Sequence, residues 1–463
     1  MRSGPPSHAT LSFSTAARFG AERPRAICYN AGLVNPARRL RDRGATITGG
    51  SLSAITLSAA AATLMIAGCV PGPAADGTAT PLVTRTAIRL GPTSTSAPAT
   101  APLPALPQEP TSVPIPRVSS DDWRLGPDGA PLELLVYADF QSPNAAFGLA
   151  DLLGVYDRHP EEVQLVFRHY PILPEYDKDS LAGQAVEAAG RQGLFWDMLR
   201  TLATRYPEWS VLPPEGFRQW LAEEASGVGL DPVAFAADLD GGRFAPLMVE
   251  AFQEASEAGI PGVPTVFFNG VPLRLSLTAL NLESVVRLEL LAQDQYDEPP
   301  PMEIDPTHGY TAFLELDQGE VVLQLLPQAA PAAVNSFIFL ARQGWFDGMT
   351  FFRVEPGALV ESGDPSDTGF GDPGYHLPDE IDPAWTFDEA GVAALSSVGP
   401  GSGGSRFFIS LQPLSLLNGS RTIFGRVVEG LDLLGDLPAR DPALDLLSPD
   451  AVVIRRVRIE VTP

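Results

Sequence analysis

Arg353 is set in an apolar, strand-like run, F-D-G-M-T-F-F-R-V-E-P-G. Two glycine-rich stretches follow, E-S-G-D-P-S-D-T-G-F-G-D-P-G-Y and V-G-P-G-S-G-G-S, and after an arginine comes the pair Phe407-Phe408. A guanidinium held over a small apolar hollow can seat a compact ring against the hollow and donate hydrogen bonds to the amide in front of it, and it stays charged at any working pH. Other chemistries find less support. The two cysteines, Cys28 and Cys69, form no C-x-x-C pair, and the five histidines are scattered. A metal centre is not expected from such spacing. A formal net charge of -25 argues against nucleic acid as a partner, since that requires a basic face.

The elements that must carry Arg353 are legible on both sides of it. Residues 310–316 and 320–325 alternate apolar and polar about Asp317-Gln318-Gly319, which predicts a hairpin. Residues 330–343 predict a helix, with Pro331 tolerated in its first turn. Further strands are expected at 346–354, 360–362, 407–410, 421–428 and 451–461. Many short strands, glycine turns and one helix predict a closed β-barrel capped by helices.

These blocks, from A-P-A-A-V-N-S-F through F-F-R-V-E-P-G, G-D-P and G-S-R-F-F-I to L-N-G-S-R-T-I-F-G-R-V-V-E-G, resemble the cyclophilin-type peptidyl-prolyl cis-trans isomerases. The likeness runs from about residue 310 to the C-terminus. It implies proline-containing unfolded or extended polypeptides as substrates, with no cofactor. Rotation about a peptide bond meets a barrier of about 18–20 kcal/mol, because the nitrogen shares its lone pair with the carbonyl. A site that binds the twisted amide better than the planar one speeds the exchange. In the resemblance Arg353 takes the place of the catalytic arginine.

Around Arg353 the likeness is looser. Phe408 and Leu417 match positions of the apolar pocket. Leu359 replaces a methionine of similar volume, and Ala358 replaces an aromatic on the pocket floor. Leu416 stands at or beside a tryptophan position, and Arg421 at a histidine position. Glu361 and Arg406 stand where glutamines orient the arginine and the substrate carbonyl. As an ion pair they could do similar work, or Glu361 could hold Arg353 away. Ser396, Ser397 and Val398 replace an A-N-A run whose backbone aligns the peptide. Two readings follow: a working isomerase with altered substrate preference, or a catalytically weak cyclophilin-fold chaperone or scaffold that binds peptides. For Arg353 alone, a structural surface arginine is the plainer alternative.

Residues 121–295 carry a second domain. Strands are expected at 132–140 and 163–169 with a helix at 145–156 between them, then a long helix at 181–205 and shorter ones at 214–226, 232–239 and 246–258. A turn, strand and hairpin turn at 259–270 and a helix at 280–293 close the unit, which reads as an α/β sheet. The order resembles thioredoxin-fold disulfide oxidoreductases with a helical insertion. In that family a C-P-x-C motif opens the first helix, whose N-terminus activates the first thiol. The matching residues here are Ser142, Pro143, Asn144 and Ala145, so dithiol exchange at this site is impossible. Pro264 matches the family's cis-proline beside a peptide groove. The domain is either a retained docking surface or a spacer.

Residues 296–309 form a proline-rich, acidic linker between this domain and the one at 310–463. At the other end, R-R-L-R-D-R is followed by an uncharged run and then I-A-G-C, which resembles a bacterial lipoprotein signal. The likeness implies an export signal over residues 1–68, lipidation of Cys69 and attachment to the outer face of the cell membrane; a plain transmembrane helix is the alternative. Val34 is a candidate true start. Residues 69–120, rich in Pro, Thr, Ala and Ser, predict an unfolded, semi-rigid tether.

Overall fold

The computed structural model of the chain describes residues 117–173 and 175–463, which belong to one compact unit. The signal region, Val34, Cys69 and all but the end of the tether lie outside the described residues. Among the described residues no helix is long and apolar enough to cross a membrane.

The first half of this unit is a five-stranded sheet in the order β1-β3-β2-β4-β5, with β1 at Trp123–Leu125, β2 at Leu132–Ala138, β3 at Val163–His169, β4 at Thr265–Phe268 and β5 at Val271–Pro272. β2 and β3 run parallel, joined by the crossover helix α1 (Pro143–Arg158). Both faces of β2 are buried. Leu134 and Val136 enter the main core, while Leu135 and Tyr137 pack on the opposite side with Val166. This is why the strand reads as a continuous apolar run rather than an alternating one.

Six helices fill the connection from β3 to β4: α2 (Asp179–Gly190), α3 (Phe195–Thr204), α4 (Tyr206–Trp209), α5 (Pro214–Val228), α6 (Pro232–Asp240) and α7 (Ala245–Glu257). The single helix expected at 181–205 is thus two. Gly193 adopts φ +80°, a left-handed turn that ends the first and starts the second. A final helix, α8 (Ala279–Leu291), closes this half.

The second half is an eight-stranded antiparallel sheet in the order β13-β6-β7-β12-β10-β11-β9-β8. Its strands are β6 (Gly309–Leu316), β7 (Gly319–Leu325), β8 (Arg353–Glu355), β9 (Leu359–Ser362), β10 (Val392–Leu395), β11 (Phe407–Ser410), β12 (Ile423–Glu429) and β13 (Ile454–Thr462). α9 (Pro331–Arg342) packs on β13 and β12. Short helices α10 (Leu431–Gly435) and α11 (Pro442–Asp445) follow β12. The core holds Phe337, Phe346, Phe407 and Phe424.

Two expectations are corrected here. The ladder is a curled sheet rather than a fully closed barrel: β8 and β13 are its two edges and share no ladder. The stretch before β8 bridges the seam instead. Gly348 N–H donates to Ile454 O, Ile454 N–H to Met349 O and Phe351 N–H to Val452 O. For the same reason the strand expected at 346–354 is only Arg353–Glu355; its earlier residues are spent on turns and on this seam.

The proline-rich stretch at 296–309 is packed along the C-terminal half. Tyr296 meets the rings of Phe339, Trp345 and Tyr375, and the Asn335 side chain accepts from the Glu303 and Ile304 amides. α8 docks on the loop after β9. Arg287 bonds Glu283 within α8 at 2.8 Å and reaches Asp367 and the Ser366 carbonyl at 3.4 Å each. Gln295 donates to Asp372, and the Tyr296 amide to Pro373 O. Gly374 lies so close that an added Cβ would stand 2.3 Å from Tyr296 O.

Candidate active site

Strand register builds the site. Arg353 on β8 stands opposite Glu361 on β9, Glu361 opposite Phe408 on β11, Phe408 opposite Ala394 on β10, and Ala394 opposite Ile423 on β12. Residues directly opposite in antiparallel strands project to the same face. The row therefore places a cation, a carboxylate and an apolar ring side by side on the face away from the main core. Their neighbours in sequence, Val354, Val360 and Phe407, point inward.

The polar end of the row is tightly coupled. Glu361 is buried, and its Oε2 lies 3.5 Å from Arg353 Nε. Its Oε1 lies 4.0 Å from Arg406 Nη1 and accepts a hydrogen bond from Ser396 Oγ. Arg406 also donates to Gly369 O. The Arg353 side chain is 43% exposed, although its Nε is buried and donates no hydrogen bond. The guanidinium is thus tethered by charge alone, on one side.

At the apolar end, Phe408 joins a cluster with Leu326, Phe387, Val392, Ala394 and Ile423, and Leu359, Trp385 and Leu417 pack against it. Phe387 stacks on Phe408 with centroids 5.7 Å apart and planes 13° from parallel. The cluster continues the row at Phe408, so an apolar ring laid on Leu359, Phe408 and Leu417 would have the arginine at its side. Ala358 is half-buried, and its carbonyl accepts from the Leu411 amide.

A cleft of about 560 Å³ opens over the polar end. Arg353, Glu361, Arg406 and Arg421 line one side together with Ser396, Ser397 and Val398. Leu280, Asn281 and Ser284 of α8 line the other. Arg421 donates to Ser397 Oγ at 3.3 Å. Of the residues singled out in the sequence, seven line this cleft (Arg353, Glu361, Ser396, Ser397, Val398, Arg406 and Arg421) and three form the apolar cluster beside it (Leu359, Phe408 and Leu417). Leu416 is fully exposed and belongs to neither group.

Sequence reasoning missed β10, although V-A-A-L between Gly391 and Ser396 is a short apolar run of strand length. It also missed Phe387 beneath Phe408 and the α8 wall. Nothing in the order of residues ties Asn281 to Arg353; only the docking of the two halves does.

The second motif lies at the end of β2. Ser142 precedes α1, but its hydroxyl donates to the buried Asp139 Oδ1 instead of capping the helix, and its amide donates to Asp139 Oδ2 at 2.8 Å. Ala145 is buried. The Val263-Pro264 bond is cis, and the pairing Tyr137↔Thr265 brings Pro264 to the end of β2 from which Ser142 follows. Below lies a second acid, Asp179, which accepts from the Phe140 and Ile172 amides at 2.9 and 2.7 Å. Burial, with the Asp139 charge beside it, pushes the Asp179 carboxyl up to about 7. Burial raises Asp139 as well. Among the described residues no group of His, Cys, Asp or Glu could hold a metal ion.

Comparison with known proteins agrees with both halves. Residues 311–460 match the family described as cyclophilin type peptidyl-prolyl cis-trans isomerase/CLD, and residues 133–289 match the DSBA-like thioredoxin domain. Peptidyl-prolyl cis-trans isomerase B of Bacillus subtilis is 38% identical over 152 residues, 33% of this chain and 97% of that protein. The human peptidyl-prolyl cis-trans isomerase-like 1 is 37% identical over 138 residues, 29% of this chain and 81% of its own length. A crystal structure of a Cryptosporidium parvum cyclophilin type peptidyl-prolyl cis-trans isomerase aligns with 28% identity and a TM-score of 0.31, covering 34% of this chain and 99% of that one. With a DSBA-like thioredoxin domain ahead of its isomerase domain, this chain belongs to the cyclophilin-type peptidyl-prolyl cis-trans isomerases.

Proposed function

We propose that the chain catalyses cis–trans exchange of prolyl bonds in extended polypeptides outside the cytoplasm, with Arg353 as the catalytic group. The supporting observation is the row Arg353, Glu361, Phe408. A proline ring resting on Leu359, Phe408 and Leu417 presents its nitrogen toward the guanidinium. As the amide twists, the nitrogen lone pair leaves conjugation and becomes a hydrogen-bond acceptor. The cation then stabilises the twisted form more than either planar one, which is what acceleration requires. No proton transfer or covalent step is involved. Arg406 and Ser396 position Glu361, and Glu361 positions Arg353. Ser397, Val398 and Arg421 border the substrate chain.

The place of action rests on the I-A-G-C box. A lipid on Cys69 would hold the folded unit at the membrane through the tether, and acyl chains supply about 0.8 kcal/mol per buried CH2. In the thioredoxin-like half, Ser142 and Ala145 leave no thiol at the redox position, so this half docks clients or spaces the isomerase from the membrane. Two measurements test the reading: acceleration of a prolyl peptide by the full chain over the spontaneous rate, and loss of membrane association in Cys69→Ser. An unaccelerated peptide removes the enzyme; an undisturbed membrane fraction removes the anchor. The rival reading, a binding scaffold with little turnover, draws on the carboxylate placed beside Arg353.

A further inference from the structure

The cleft over Arg353 is not built by the isomerase half alone. Its opposite side is the start of α8, with Leu280, Asn281 and Ser284 facing the arginines across about 560 Å³. α8 is held there by Arg287 and by the Tyr296–Pro373 hydrogen bond. A peptide that enters this cleft to reach Arg353 passes between the two halves. The charges inside are unusual for this chain. Three arginines (353, 406 and 421) meet two carboxylates, Glu361 and Asp441, in a molecule of net charge -25.

Both acids are already engaged. Glu361 is shared by Ser396, Arg353 and Arg406, and Asp441 accepts the Ala443 amide at the start of α11. Arg421 is different: its hydrogen bonds go to neutral oxygens, Ser397 Oγ and Ser420 O. Among the described residues no carboxylate is paired with it. The α8 side contributes no charge to oppose it. Exposed Phe370 and Val398 add an apolar rim.

We infer that this two-sided cleft selects peptides carrying an acidic side chain next to the proline, with Arg421 as the specificity-determining cation and α8 as part of the substrate site. The inference rests on the isomerase reading. A carboxylate entering the cleft meets a charge-assisted donor already partly desolvated, whereas a lysine meets like charge, and opposed charges of this kind govern specificity more than raw affinity.

The test uses the full chain and matched prolyl peptides with Glu, Ala or Lys beside the proline, read by isomerisation rate and by fluorescence anisotropy. The expected result is a kcat/KM for the Glu peptide about tenfold above that for the Lys peptide, with the gap closing in 1 M salt as screening tightens. Arg421→Gln should shrink the ratio to about twofold or less. Asn281→Asp should shrink it too; an acid in the first turn suits α8, so this variant keeps the fold while testing the wall. Turnover of the Ala peptide with Glu and Lys treated alike would overturn the inference and leave the isomerase standing. Binding that favours Glu without turnover of any peptide would uphold the inference and remove the isomerase. An Asn281→Asp ratio equal to the wild type would take α8 out of the site.

Discussion

Glu361 Oε2 sits 3.5 Å from Arg353 Nε, across one rung of the β8–β9 ladder, and the carboxylate is buried where the arginine is not. The buried partner fixes the exposed one. Removing it by Glu361→Ala leaves Arg353 and Arg406 without their shared carboxylate and the Ser396 hydroxyl without its acceptor. A fall in kcat/KM of about tenfold is expected, equal to about 1.4 kcal/mol of transition-state stabilisation. Glu361→Gln keeps an oxygen for Ser396 and should retain at least about a third of the rate. Steady-state rates on one prolyl peptide decide it; an Ala variant as fast as the wild type would show that Glu361 positions nothing.

The apolar end makes its own prediction. Phe408 is buried and stacked on Phe387, so Phe408→Ala removes both the seat for the ring and core packing. A loss of about 3–5 kcal/mol is typical of such a deletion, and activity would fall with it. Leu417→Ala is the cleaner probe, because Leu417 is only partly buried at the cluster's edge. It should raise KM severalfold while kcat changes less, since the seat binds planar and twisted forms alike. An unchanged KM would put the ring elsewhere.

Glu283 ties α8 to the end of α1 through Arg158 and His159. Burial alone would raise its carboxyl, but hydrogen bonds from His159, Arg287 and Arg158 outweigh burial and hold it at about 2. A carboxylate with a depressed folded value contributes stability above its unfolded value, and that stability is lost as pH falls through the folded one. The window is therefore from about 4.5 down to about 2, with a total of about 3 kcal/mol at about 1.4 kcal/mol per pH unit. Thermal melts across that range should steepen for the wild type and flatten for Glu283→Gln. Parallel curves would contradict the link.

Asp179 acts in the opposite sense. Its folded carboxyl, raised to about 7, binds a proton that the unfolded chain releases near 3.8. Stability therefore declines as pH rises from about 4 to about 7. Asp179→Asn should flatten that decline, while costing stability at low pH because one of its two accepting oxygens is lost. Melting temperatures at pH 4 and pH 7.5 suffice; a wild type equally stable at both, with the variant unchanged, would refute it.

Much of this was legible in the residues, for physical reasons that can be named. The hairpin of β6 and β7 announces itself by alternation about Asp317-Gln318-Gly319, and Phe407–Ser410 emerges as expected because its apolar run is bounded by glycine and polar turns. That Ser142 and Ala145 leave no dithiol pair at that position is legible from composition alone, since neither side chain carries sulfur. The helix at 181–205 reads as one because a single glycine, Gly193, carries the break. The barrel ladder stays open at one seam because 346–352 has strand composition but spends its hydrogen bonds bridging that seam. The α8 wall could not be read, because Asn281 and Arg353 are brought together only by the packing of one half on the other.

The proposed catalysis depends most on the guanidinium at 353. The direct measurement is the catalysed isomerisation rate of a prolyl peptide by the wild type and by Arg353→Ala, with a melting curve confirming that both are folded. Loss of one preorganised donor to a developing charge typically costs about a hundredfold or more in rate, and a drop of that size is expected here. Equal rates from the two folded proteins would contradict the assignment of Arg353 as the catalytic group.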